Sequence, residues 1–168
     1  MKNVILIGMP GAGKSTVGVV LAKRLGYTFL DSDLVIQQKY GRLLHELISE
    51  HGVEGFWKIE NDVNAGLTCD RTVIATGGSA IYGKEAMEHL RSMGTVVYLR
   101  LTLEQIAERL GDLTERGVTL REGQDLKALY EERTPLYEKY AHVIIDGDGQ
   151  QVRELVARIA QQVGGNQR

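Results

Sequence analysis

Residues 8–15 read Gly-Met-Pro-Gly-Ala-Gly-Lys-Ser, which has the spacing G-x-x-x-x-G-K-[ST]. Each residue type in that run has a chemical task. The glycines let the backbone curl until successive N–H groups point at one phosphate. A helix leaving the loop adds its unpaired amides and the positive end of its dipole. Lys14 brings an ammonium to the β- and γ-oxygens of a nucleoside triphosphate, and the Ser15 hydroxyl suits Mg²⁺. Gly11, Ala12, Gly13, Lys14, Ser15 and Thr16 are therefore assigned to ATP, Lys14 also to catalysis, and Ser15 to the metal. An apolar run enters the loop and an amphipathic one leaves it, as a strand–loop–helix requires.

Two carboxylates follow. Asp31 and Asp33 close a short apolar run, and alternation along a strand puts both side chains on one side, at the carboxyl end where ligands of α/β sheets bind. Either could equally cap the next helix.

The bulk numbers bound the rest. The chain has 168 residues, 43% hydrophobic and 25% charged, with net charge −2, which fits one globular domain spanning 1–168. No basic run supplies a nucleic-acid stripe, so polyanion binding is disfavoured. The single cysteine, Cys69, excludes an internal disulfide or a cysteine zinc site, and the four histidines share no ligand spacing. The opening apolar run is short for a signal peptide, and no long apolar stretch follows. The expectation is a cytoplasmic enzyme, monomeric by default, with no membrane or nucleic-acid partner.

Strands are expected at 3–7, 27–30, 72–75, 95–99 and 142–145. Helices are expected at 15–25, 34–40, 43–50, 53–67, 84–93, 103–110, 126–140 and 152–163, with Gly52 dividing the third from the fourth. This alternation predicts an α/β fold, a parallel sheet covered on both faces. Residues 111–124 are polar and glycine-containing, without an apolar face, and read as a mobile lid.

The chain resembles the shikimate kinases along nearly its whole length. The matching runs, in order, are GMPGAGKST (8–16), LDSD (30–33), GRLLHELI (41–48), FWKIE (56–60), TGGSA (76–80), VVYL (96–99) and ERTPLY (132–137). The resemblance implies a three-layer α/β/α P-loop fold, five parallel strands in the order 2-3-1-4-5, and a lid closing over ATP. It implies a Mg²⁺-water ligand at Asp31 and, at Asp33, a residue that holds the acceptor hydroxyl and serves as base. It places substrate at the Gly77-Gly78-Ser79 loop, where the family usually has three glycines. It also implies an adenine contact at Arg109, a phosphate-neutralising lid arginine at Arg116, and a carboxylate-pairing arginine at Arg133. Gly117 stands where the family has proline. Arg121 reads as a solvated charge.

One position departs further. The family motif F-R-x-x-E places a second carboxylate-binding arginine where Trp57 stands, while Glu60 remains. Lys58 points elsewhere on a helix, since i and i+1 do not share a face. Trp57 either extends an apolar stripe or lines a reshaped substrate pocket. The implied reaction is ATP-dependent phosphorylation of shikimate at its 3-hydroxyl, in aromatic amino acid biosynthesis, with lowered affinity. The alternatives are another hydroxylated metabolite as acceptor, or a nucleotide-binding module without transfer activity.

Overall fold

The computed structural model describes residues 2–110, 118–147 and 149–164. Five strands form one sheet: β1 (Asn3–Ile7), β2 (Thr28–Asp31), β3 (Thr72–Ala75), β4 (Gly94–Arg100) and β5 (Val143–Asp146). The order is β2-β3-β1-β4-β5 and every pairing is parallel. This is the order that the resemblance implies. β1 is central, and all five of its residues are buried, which explains the apolar run Val4–Ile7 that follows Asn3.

The helices are α1 (Lys14–Leu25), α2 (Ser32–Tyr40), α3 (Leu44–Ala65), α4 (Lys84–Met93), α5 (Leu103–Arg109), α6 (Leu126–Tyr140) and α7 (Val152–Gly164), with a 3-10 turn at Ala80–Tyr82. α1 and α7 cover one sheet face through Val17, Leu21, Leu155 and Ile159. The other face packs Ile5, Ile74 and Tyr98 against Met87, Leu90 and Tyr137 of α4 and α6. A third cluster joins Ile36 of α2 to Leu47, Phe56 and Ile59 of α3. Among the described residues, no helix is long and apolar enough to cross a membrane.

Two expectations are corrected and one is met. β2 runs one residue further than 27–30, and α2 begins directly at Ser32. Asp33 therefore lies in the first turn of a helix, and strand alternation is not what brings it beside Asp31. The expected division of the helices at 43–50 and 53–67 is present: α3 is two helical stretches joined at Gly52, whose φ of 74° and ψ of 172° are not helical. Residues 118–124 are not uniformly polar on their inner side. Val118 and Thr119 are buried, at 8% and 2% exposure, and Val118 joins the main core.

At the amino-terminal end of β1, away from the ligand-binding ends of the strands, Asn3 ties three segments together. Its Nδ2 donates to the carbonyls of Cys69 and Met93, and its Oδ1 accepts from the Thr72 amide. Asn3 is also the β1 partner of Gly94 on β4, and a Cβ on Gly94 would collide with the Asn3 backbone. Gly94→Ala should therefore force β1 and β4 apart and cost ~1–3 kcal/mol of stability. Urea unfolding checks this: the midpoint should fall while the slope stays constant.

Candidate active site

The loop between β1 and α1 forms the floor of the site. Gly11 and Gly13 adopt φ values of 80° and 88°, which side chains disfavour, and Gly13 caps α1 without any side-chain hydrogen bond. The first turn of α1 thus keeps its amides for a ligand. Ala12 is different: its amide donates to Met9 O at 3.1 Å and its side chain is packed in the core. Lys14 folds back, donating from Nζ to Gly8 O at 2.7 Å and Met9 O at 2.8 Å. An ammonium has three donors, so one is left for a phosphate.

Asp31 ends β2 and does two things at once. Its Oδ1 caps α2 by accepting from the amides of Asp33 and Leu34, and its Oδ2 accepts from Ser15 Oγ at 3.0 Å. The capping and functional readings of Asp31 are therefore compatible. Oxygen donors of this hard type suit Mg²⁺, which takes one or two protein oxygens and completes its shell with phosphates and water. Among the described residues no group of three His, Cys, Asp or Glu could hold a metal.

From this floor a cleft of about 360 Å³ opens, with Gly13, Lys14, Ser15 and Thr16 at one end and Asp33, Glu60, Thr119 and Arg133 among its walls. Gly77 and Gly78 owe their type to crowding here. A Cβ on Gly77 would fall 2.6 Å from Asp33 Oδ1 and 2.7 Å from Glu60 Oε2. One on Gly78 would fall 2.7 Å from Pro10 Cδ and 3.0 Å from an Arg133 nitrogen. Ser79, buried, donates to Glu60 Oε1 at 2.6 Å.

The electrostatics follow from enclosure. Burial pulls Lys14 down to about 8, although Asp33, Asp31 and Glu60 pull it back up. Burial, then the charge of Asp31, raises Asp33 to about 6, against the favourable field of Lys14. Glu60 rises to about 8, by burial first and the Asp33 charge second.

Arg133, only 1% exposed, faces the far end of the cleft. It donates to Thr119 O and Oγ1 at 3.1 and 2.8 Å and more weakly to Tyr82 Oη. Trp57 does not itself line the cleft. Its Nε1 donates to Thr119 Oγ1 at 2.9 Å, its ring stacks on Tyr82 at 4.0 Å, and it also packs against the α2–α3 cluster. Trp57 thus bears on the site through Thr119, while Lys58 is exposed. Arg109 lies against the outside of the phosphate loop, 3.3 Å from Ala12 O. Arg121 pairs with Glu132 and rests over the Trp57 ring. Arg116 falls outside the described residues.

The sequence reading did not assign Thr119, Tyr82 or Glu60 to the site. Glu60 had a signal, since it is the surviving acid of the F-x-x-x-E motif. Thr119 had none, because its role depends on tertiary contacts with Trp57 and Arg133. Thr119→Val removes both hydrogen bonds, one of them to a buried guanidinium. It should raise the acceptor KM about 10- to 100-fold while nucleotide affinity stays within about twofold. Steady-state kinetics and nucleotide titration read the two effects separately.

Comparison with known proteins agrees with this geometry. The family model "Shikimate kinase" matches residues 10–164. The shikimate kinase of Francisella tularensis subsp. novicida is 41% identical over 163 residues, covering 95% of this chain and 93% of that protein. Among solved structures, shikimate kinase from Acinetobacter baumannii in complex with shikimate superposes with a TM-score of 0.86 at 34% identity, covering 99% of this chain and 95% of that one. The Aquifex aeolicus shikimate kinase gives 0.84 at 33% identity, covering 98% and 97%. A deoxyadenosine kinase from M. mycoides, 15% identical with a TM-score of 0.63, shares the fold. The chain belongs to the shikimate kinase family.

Proposed function

We propose that this protein transfers the γ-phosphoryl group of ATP to the 3-hydroxyl of shikimate, giving ADP and shikimate 3-phosphate. The observation that carries the reading is one cleft with Lys14 at the phosphate end, Asp33 in its wall and Arg133 at the far end. Family membership supports the same acceptor.

The amides of Gly11 and residues 13–16 receive the phosphates, with Ala12 shaping the loop from the core side, and the third donor of Lys14 neutralises the group in flight. Ser15 and Asp31 would hold Mg²⁺, which would draw charge from the phosphate oxygens when bound. Asp33 accepts a hydrogen bond from the acceptor hydroxyl. As that oxygen bonds to phosphorus and the bond to the β-phosphate oxygen breaks, its proton passes to the Asp33 carboxylate and then to solvent. Arg133 pairs with the acceptor carboxylate, a task suited to its planar fork. Arg116 and the segment around 111–124 are assigned to closing over the phosphates, which would exclude water. Arg109 is assigned to the adenine.

The test is ADP release measured across a panel of hydroxylated metabolites. Shikimate should be turned over with the highest kcat/KM, and a panel in which another acceptor exceeds it would overturn the acceptor assignment. Lys14→Ala should abolish transfer while leaving the unliganded melting temperature within a few degrees of the wild type. Millimolar Mg-ATP should raise the wild-type melting temperature by ligand linkage. The absence of any rise would contradict the nucleotide site itself.

A further inference from the structure

Glu60 has no part in the steps above, yet few side chains of the cleft are more enclosed. It is 1% exposed, its Oε1 accepts from Ser79, and among the described residues its Oε2 has no hydrogen-bond partner. An unmet buried polar atom costs ~1–3 kcal/mol, so what faces it matters. The point beside Gly77 that both Glu60 Oε2 and Asp33 Oδ1 approach lies within the cleft wall, so two carboxyl groups converge there.

Neither cation in reach donates to Glu60 among the described hydrogen bonds. Lys14 is held by Gly8 and Met9, and Arg133 by Thr119 and Tyr82. Trp57 occupies the position one turn before Glu60 where an arginine is implied, and Lys58 is exposed. Two neighbouring buried carboxyls without a dedicated cation do not both stay ionised. Asp33, nearer to Lys14 in electrostatic effect, keeps the charge, and Glu60 holds the proton. Ser79 fixes where that proton sits: by donating to Oε1 it makes that oxygen the carbonyl and leaves the hydroxyl on Oε2.

We infer that Glu60 is an acceptor-binding residue in its neutral form, its Oε2–H donating a hydrogen bond to the acceptor carboxylate in place of the absent second arginine. This rests on the proposed transfer to a carboxylate-bearing acceptor. The groups facing Glu60 are Asp33 on α2, Ser79 after β3, Arg133 on α6 and Lys14 on α1. Burial and the Asp33 charge raise Glu60 to about 8, while Ser79, Arg133 and Lys14 lower it. The acid is therefore present below about pH 8. Above it the donor is lost and a negative charge confronts the carboxylate.

The experiment is the KM for shikimate, at saturating Mg-ATP, followed from about pH 6.5 to about 9.5, together with Trp57 fluorescence titration of shikimate without nucleotide. The wild-type KM should be flat below about pH 8 and rise about tenfold per unit above it. Glu60→Gln keeps a weaker, non-titrating donor: its KM should be a few-fold higher at pH 7, and the steep rise should disappear. Lys14 is present in both proteins, so the difference between the two profiles isolates Glu60. Retention of the Mg-ATP melt shift shows that the variant is folded. Turnover with a flat wild-type profile, or the same rise in Glu60→Gln, overturns this inference and leaves the proposed function standing. No shikimate binding at any pH overturns both.

Discussion

A buried ammonium ties this site together. Removing a lysine from water without compensation costs several kcal/mol, and here the repayment comes from two backbone carbonyls and the field of Asp33 and Asp31. Holding Lys14 over the phosphate loop requires Gly8 and Met9 to turn their carbonyls inward. The glycine backbone at 8–13 makes that turn possible. The carboxylates that support Lys14 arrive from two separate places, the end of β2 and the first turn of α2. The strand order that brings β2 beside β3 and β3 beside β1 is what lets these elements meet at one end of the sheet.

The same concentration of charge sets the acceptor end. Gly77 and Gly78 are pressed by Asp33, Glu60, Pro10 and Arg133, so that stretch of backbone forms a wall without side chains. Tyr137 fixes the wall by donating to Gly78 O at 2.6 Å, and stacks on Tyr98 of β4. Trp57, Tyr82 and Thr119 brace Arg133 from behind. With one arginine in place of two, the cleft carries less positive charge toward an anionic acceptor, and the protonation of Glu60 restores part of that balance.

Much of this was legible in the sequence, for identifiable reasons. The phosphate loop is local, so spacing alone located Gly11, Gly13, Lys14 and Ser15. The sheet was readable because buried parallel strands are short continuous apolar runs, as in Val4–Ile5–Leu6 and Val96–Val97. The placement of Asp33 was misjudged because a helix capped by Asp31 starts where a strand was expected to continue; local capping chemistry overrode the period-two pattern. The roles of Thr119 and Tyr82 could not be read, since nothing within a few residues of either marks it. Trp57 was recognised as a departure, but its orientation depends on contacts 25 and 62 positions away in the chain.

The central claim is that phosphorus moves from ATP to an acceptor hydroxyl bound beside Asp33, and product identity tests it most directly. Wild-type protein incubated with Mg-ATP and shikimate should be followed by ³¹P NMR. The account predicts a new phosphomonoester resonance that grows in step with ADP and whose carrier has the mass of shikimate plus one phosphoryl group. ADP accompanied only by inorganic phosphate, or no ADP at all, would contradict it.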